Sequence, residues 1–90
     1  MNDKNIHLTI CLSEEASEVI QAASKILRFG NTAENQRQLI AELNDLAAVV
    51  DLLQDNGVLP VDCFLNAHEH VREKQQQVLE HWKEVLQKRD

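Results

Sequence analysis

Only two places in this chain of ninety residues are built to stop a helix. Gly30 is one; the other is the stretch DNGVLP, Asp55 to Pro60, with its Asn-Gly pair and the one proline of the chain. Two glycines, one proline and three aromatic residues cannot supply the turns and β-rich strands of a sandwich or barrel. What remains is three long segments, each with apolar residues at helical spacing. The expected fold is all-α, a single domain over 1–90 with helices at roughly 5–29, 33–54 and 61–89.

The first stripe is Leu8, Cys11, Leu12, Val19, Ala22 and Ile26, and the second is Leu39, Leu43, Leu46, Val50 and Leu53. Asn31 or Thr32 is placed to cap the second helix, with Glu34 in its first turn. The third stripe, Phe64, Val71, Val78, Trp82 and Val85, is narrow and carries polar His68 and Gln75 at seam positions. Such a helix suits the edge of a bundle or a partner subunit better than a core. A 90-residue chain also buries little surface by itself. The expectation is an antiparallel helical bundle completed by homo-oligomerisation.

Charge narrows the partners. A formal net charge of −6 favours neither a nucleic-acid backbone nor an anionic membrane surface, so an anionic ligand needs a metal or a local basic cluster. The start, MNDKNIHLTI, lacks a charged-then-apolar signal, and no apolar run approaches the roughly 20 residues of a membrane span. Cys11 and Cys63 fit no metal spacing and read as reduced core thiols. Together these give the expectation of a soluble, cytoplasmic protein.

The chemistry lies in LSEEASEVIQ, Leu12 to Gln21, where the helix places glutamates in its own apolar stripe. At about 100° per residue Glu15 falls between Leu8 and Val19, Glu18 at the edge of the stripe, and Glu14 just outside it. Glu42 falls on the core side of the second helix with Asp45 beside it, again at i, i+3 spacing. A short connection makes the helices antiparallel, so Glu15, Glu18, Glu42 and Asp45 converge. Four such charges share a site only if some stay protonated or a divalent cation sits among them. A cation held by oxygens alone, with no Cys or His nearby, would be Mg²⁺ or Mn²⁺ rather than zinc.

The same residues carry a family resemblance. EEASE, Glu14 to Glu18, and ELND, Glu42 to Asp45, resemble the EExxE…ExxD signature of the all-α MazG-like nucleoside triphosphate pyrophosphohydrolases, and SKILRFG and LAAVVDLL extend the likeness over Leu8 to Leu53. The resemblance implies that Glu15, Glu18, Glu42 and Asp45 bind Mg²⁺, and that Glu14 holds a second ion or orients the attacking water. It also implies hydrolysis of a nucleoside triphosphate to the monophosphate and pyrophosphate in nucleotide-pool control, by a homodimer or homotetramer. Lys25 and Arg28, following Glu18 toward the end of the first helix, are then the phosphate-contact candidates, though basic residues there also suit the helix dipole. The competing reading is a non-catalytic helical oligomerisation or regulatory module that retains the acidic cluster.

Other residues are expected in structural roles. Phe29 reads as core and Trp82 as a bundle or oligomer contact. His68 and His70, at i, i+2, point to different helix faces, and Asp51 points away from the carboxylates.

Overall fold

The computed structural model describes residues 1–63 and 67–88. Within them are three helices, α1 (Asp3–Phe29), α2 (Ala33–Asp55) and α3 (Ala67–Gln87), and no strand. The all-α expectation holds.

Helix α1 begins at Asp3, two residues before the expected start, because Asn2 caps it: its side chain accepts a hydrogen bond from the Asn5 N–H at 2.8 Å. The apolar period cannot reveal such a polar first turn. At the other end Gly30 donates its N–H to the Ile26 carbonyl at 2.9 Å, with φ of 103°, a backbone region open to glycine. Of the two candidate caps for α2, Thr32 takes the role, accepting from the Asn35 N–H at 3.1 Å. Asn35 in turn donates its side-chain amide to the Gly30 carbonyl at 3.0 Å and locks the tight reversal.

That reversal lays α2 antiparallel along α1. Two hydrogen bonds bracket the pair: Lys25 Nζ to Gln38 Oε1 at 3.3 Å toward the closed end, and Asn5 Nδ2 to the Asn56 carbonyl at 3.4 Å at the open end. Between them runs a seam spaced alternately by four and three residues. On α1 it is Leu8, Leu12, Glu15, Val19, Ala22 and Ile26; on α2 it is Asn35, Leu39, Glu42, Leu46, Val49 and Leu53. Every one of these twelve is buried or half-buried. A strict heptad of this kind is the packing of antiparallel coiled-coil helices.

The seam corrects the α2 stripe. Val49 takes the place expected for Val50, and Leu43 is 46 % exposed because Glu42 occupies the position facing α1. Among the described residues only Leu8, Ala22 and Leu53 are buried. The core cysteines are not found: Cys63 is exposed in the turn after Pro60 and Cys11 is half-buried. Phe29, expected in the core, is 70 % exposed, since the seam ends at Ile26.

The third helix, expected from residue 61, begins at Ala67; residues 61–63 form a turn in which Cys63 donates its N–H to the Pro60 carbonyl. Phe64, together with residues 65–66 and 89–90, lies outside the described residues. Among the described residues α3 packs against neither α1 nor α2, so Trp82 remains 48 % exposed. No described helix is long and apolar enough to cross a membrane.

Candidate metal centre

The heptad explains how carboxylates come together here. Glu15 and Glu42 occupy seam positions, so each points at the opposite helix from a place an aliphatic side chain would ordinarily fill. Glu18 and Asp45 stand one position before the seam residues Val19 and Leu46. Lys25 and Gln38 hold the equivalent positions before Ile26 and Leu39, and their hydrogen bond shows that these two rows flank the same side of the hairpin. Glu18 and Asp45 therefore form an acidic continuation of the Lys25–Gln38 row.

Of the four expected ligands, three converge closely. Glu15, Glu18 and Glu42 each offer a carboxylate oxygen within 4.8 Å of the other two. Asp45 lies outside this set, yet its charge acts on both Glu15 and Glu42. It is a flank residue because its row meets the seam from the side. Glu14 is exposed and one position further out, close enough to Glu15 for its charge to be felt.

The electrostatics follow. Desolvation by the packed helices lifts the Glu15 carboxyl above its ordinary value, and the charges of Glu18 and Asp45 add to the rise. Glu42 is raised first by a carboxyl–carboxyl hydrogen bond with Glu18, then by desolvation. One oxygen of each, Oε2, is shut from solvent with no hydrogen-bond partner. A buried carboxylate oxygen without a donor is costly. The site therefore favours a proton or a cation at this point.

The phosphate-contact candidates divide. Lys25 is half-buried and held by Gln38; it stands seven residues, or about 10 Å of helix, beyond Glu18 in the same row. Arg28 stacks its guanidinium on the neighbouring Phe29 ring, 5.4 Å from the centroid, at the exposed end of α1. His68, His70 and the cysteines take no part in the cluster, and Asp51 is solvent-exposed as expected. Gln38 is the residue that spacing analysis passes over. The repeat 38, 45, one step before the seam, is the signal that would have placed it beside Lys25.

No family model, curated protein or solved structure matches the chain.

Proposed function

We propose that the chain is a Mg²⁺-dependent pyrophosphohydrolase that splits a nucleoside or deoxynucleoside triphosphate into the monophosphate and pyrophosphate, water attacking the α-phosphorus. The carrying observation is the pair of seam glutamates, Glu15 and Glu42, each with a solvent-excluded oxygen lacking a donor. A hairpin evolved for packing alone would have leucine or valine at both positions.

The donor set fits a small hard cation. The carboxylate oxygens of Glu15, Glu18 and Glu42 lie within 4.8 Å of one another, so small side-chain rotations would let all three reach one ion. Oxygen ligands alone favour Mg²⁺ or Mn²⁺. When bound, such an ion neutralises phosphate oxygens and supports the departing pyrophosphate. Glu15, Glu18 and Glu42 would hold it, with Asp45 as the fourth carboxylate on the flank. Glu14 has an exposed carboxylate able to accept a hydrogen bond from the attacking water and orient it. The Lys25 ammonium, released from Gln38, can donate to a phosphate oxygen further along the row, and Arg28 offers a guanidinium at the end of α1. The choice of phosphoanhydride as the bond cleaved rests on the resemblance of the EEASE and ELND segments to MazG-like enzymes. Homodimeric or homotetrameric assembly is part of the same reading, because Ile20, Leu27, Ile40 and Leu43 are left exposed on the hairpin.

That exposed apolar surface equally favours a second reading, a non-catalytic helical oligomerisation or regulatory module in which the carboxylates serve as a structural cluster. A panel of common and damaged nucleoside and deoxynucleoside triphosphates with Mg²⁺, scored for monophosphate and pyrophosphate, separates the two. Turnover lost in Glu15→Gln/Glu18→Gln with helicity retained supports the enzyme. No turnover from a folded, Mg²⁺-saturated protein supports the module.

A further inference from the structure

Helix α3 has an apolar stripe, and among the described residues neither α1 nor α2 packs against it. Val71, Gln75, Val78, Trp82 and Val85 follow one another at intervals of four, three, four and three, a heptad seam of the same kind that joins α1 to α2. Leu79 and Leu86 widen it along one edge, and Lys74, His81 and Lys88 line the other. Val78 and Leu79 are 56 % and 59 % exposed, and among the described residues none of this stripe is covered by α1 or α2.

The surface area says how much cover is missing. A folded monomer of 10.3 kDa exposes about 5,400 Å² by the usual size scaling, whereas this chain exposes 7432 Å². The excess, about 2,000 Å² per chain, lies within the roughly 1,000–2,500 Å² that each subunit of an obligate dimer loses on assembly. A second copy of this chain is the occupant that such an excess calls for.

We propose that α3 forms a parallel two-stranded coiled coil with α3 of a second copy, in register, with Gln75 of one chain against Gln75 of the other. Polarity decides the direction. In a parallel pair the two unlike edges meet, so the methylene stem of Lys74 lies over Leu79 of the other copy with its ammonium group in water, and His81 lies over Leu86. In an antiparallel pair like edges meet, setting the row that holds Lys74 and Lys88 against itself. The seam gives the same answer: parallel pairing lets the two Gln75 amides bond one another, while antiparallel pairing sets Gln75 against an aliphatic residue and leaves its amide without a partner. A single polar residue at such a position fixes register and direction. This contact does not depend on the acidic cluster being catalytic.

The test uses the full chain with Cys11→Ser and Cys63→Ser as background, since both native thiols are free. Sedimentation of the wild type at about 100 µM should give a dimer or a multiple of it, and Val78→Glu should lower the mass to a smaller species. Val78→Cys chains should cross-link to covalent dimers under mild oxidation, while Glu80→Cys, on the opposite face, should not. A monomeric wild type, an unchanged mass in Val78→Glu, or cross-linking of Val78→Cys no faster than that of Glu80→Cys would each overturn the proposal. The cross-linking arm stands even where the charged variant unfolds α3.

Discussion

Glu15 on α1 and Glu42 on α2 occupy seam positions of one antiparallel hairpin, and each keeps an oxygen from solvent with no donor to satisfy it. The two cannot both be fully charged without loss of stability, because Glu18 lies within 4.8 Å of both. The hairpin therefore holds its own strain at the point where two aliphatic residues would have relaxed it.

A pH dependence follows from that strain. Both carboxyls are raised above their ordinary value of 4.5, so between that value and their native-state values the folded chain binds more protons than the unfolded one. Their contribution is most favourable below 4.5, declines as pH rises through the raised values, and is constant above them. Metal-free protein should thus lose more stability than Glu15→Gln/Glu42→Gln does as pH rises from 4.5 through the raised values. Added Mg²⁺ or Mn²⁺ should raise the melting temperature more above the raised values than below them, since the cation binds the deprotonated carboxylates. Equal slopes in the two proteins, measured by thermal circular dichroism, would count against the raised pair.

Leu53 is 1 % exposed and closes the open end of the seam, where Val58 and Leu59 both donate backbone N–H groups to its carbonyl. Removing its side chain empties the largest fully buried position. Leu53→Ala should cost about 2–5 kcal/mol in a denaturant titration, a large share of what a domain of this size has. A loss under about 1 kcal/mol would mean that the open end is frayed in solution.

Gly30 tests the closed end by a different mechanism. A Cβ built there meets nothing within 4 Å, yet φ is 103° and ψ is 161°, a combination that side-chain-bearing residues rarely adopt. The cost of Gly30→Ala is therefore backbone strain alone, about 1–3 kcal/mol. Unchanged stability would show that the reversal settles into another turn.

These residues also mark what spacing can and cannot reveal. Glu15 and Glu42 were legible because a carboxylate inside an apolar stripe conflicts with burial, and a helical projection is enough to see the conflict. Leu43 misled the same projection: a period of 3.6 admits both 42 and 43 to the stripe, and only the tighter 3.5 period of a coiled coil separates them. Phe29 and Cys63 read as core because apolar side chains of a helical domain are normally covered, whereas among the described residues only Leu8, Ala22 and Leu53 are buried. The start of α1 depended on a side-chain cap at Asn2, which leaves no trace in apolar periodicity.

Lys25 carries the last prediction. Its ammonium is tied to Gln38, two turns beyond Glu18 on the flank the carboxylates share, so it is positioned along the row without touching the cluster itself. If the row accommodates a polyphosphate, Lys25→Met removes a charge that meets phosphate oxygens while leaving the three carboxylates in place. Substrate KM should then rise about tenfold, the loss expected for one charge-assisted hydrogen bond of roughly 1.5–3 kcal/mol at a partly exposed site. Mg²⁺ affinity measured without nucleotide should change little. Gln38→Ala should do the opposite of Lys25→Met, leaving KM unchanged or lower, because it frees the ammonium for substrate. A Lys25→Met variant with unaltered KM, or one whose kcat falls while KM stays fixed, would remove Lys25 from substrate binding and leave it as a tie between α1 and α2.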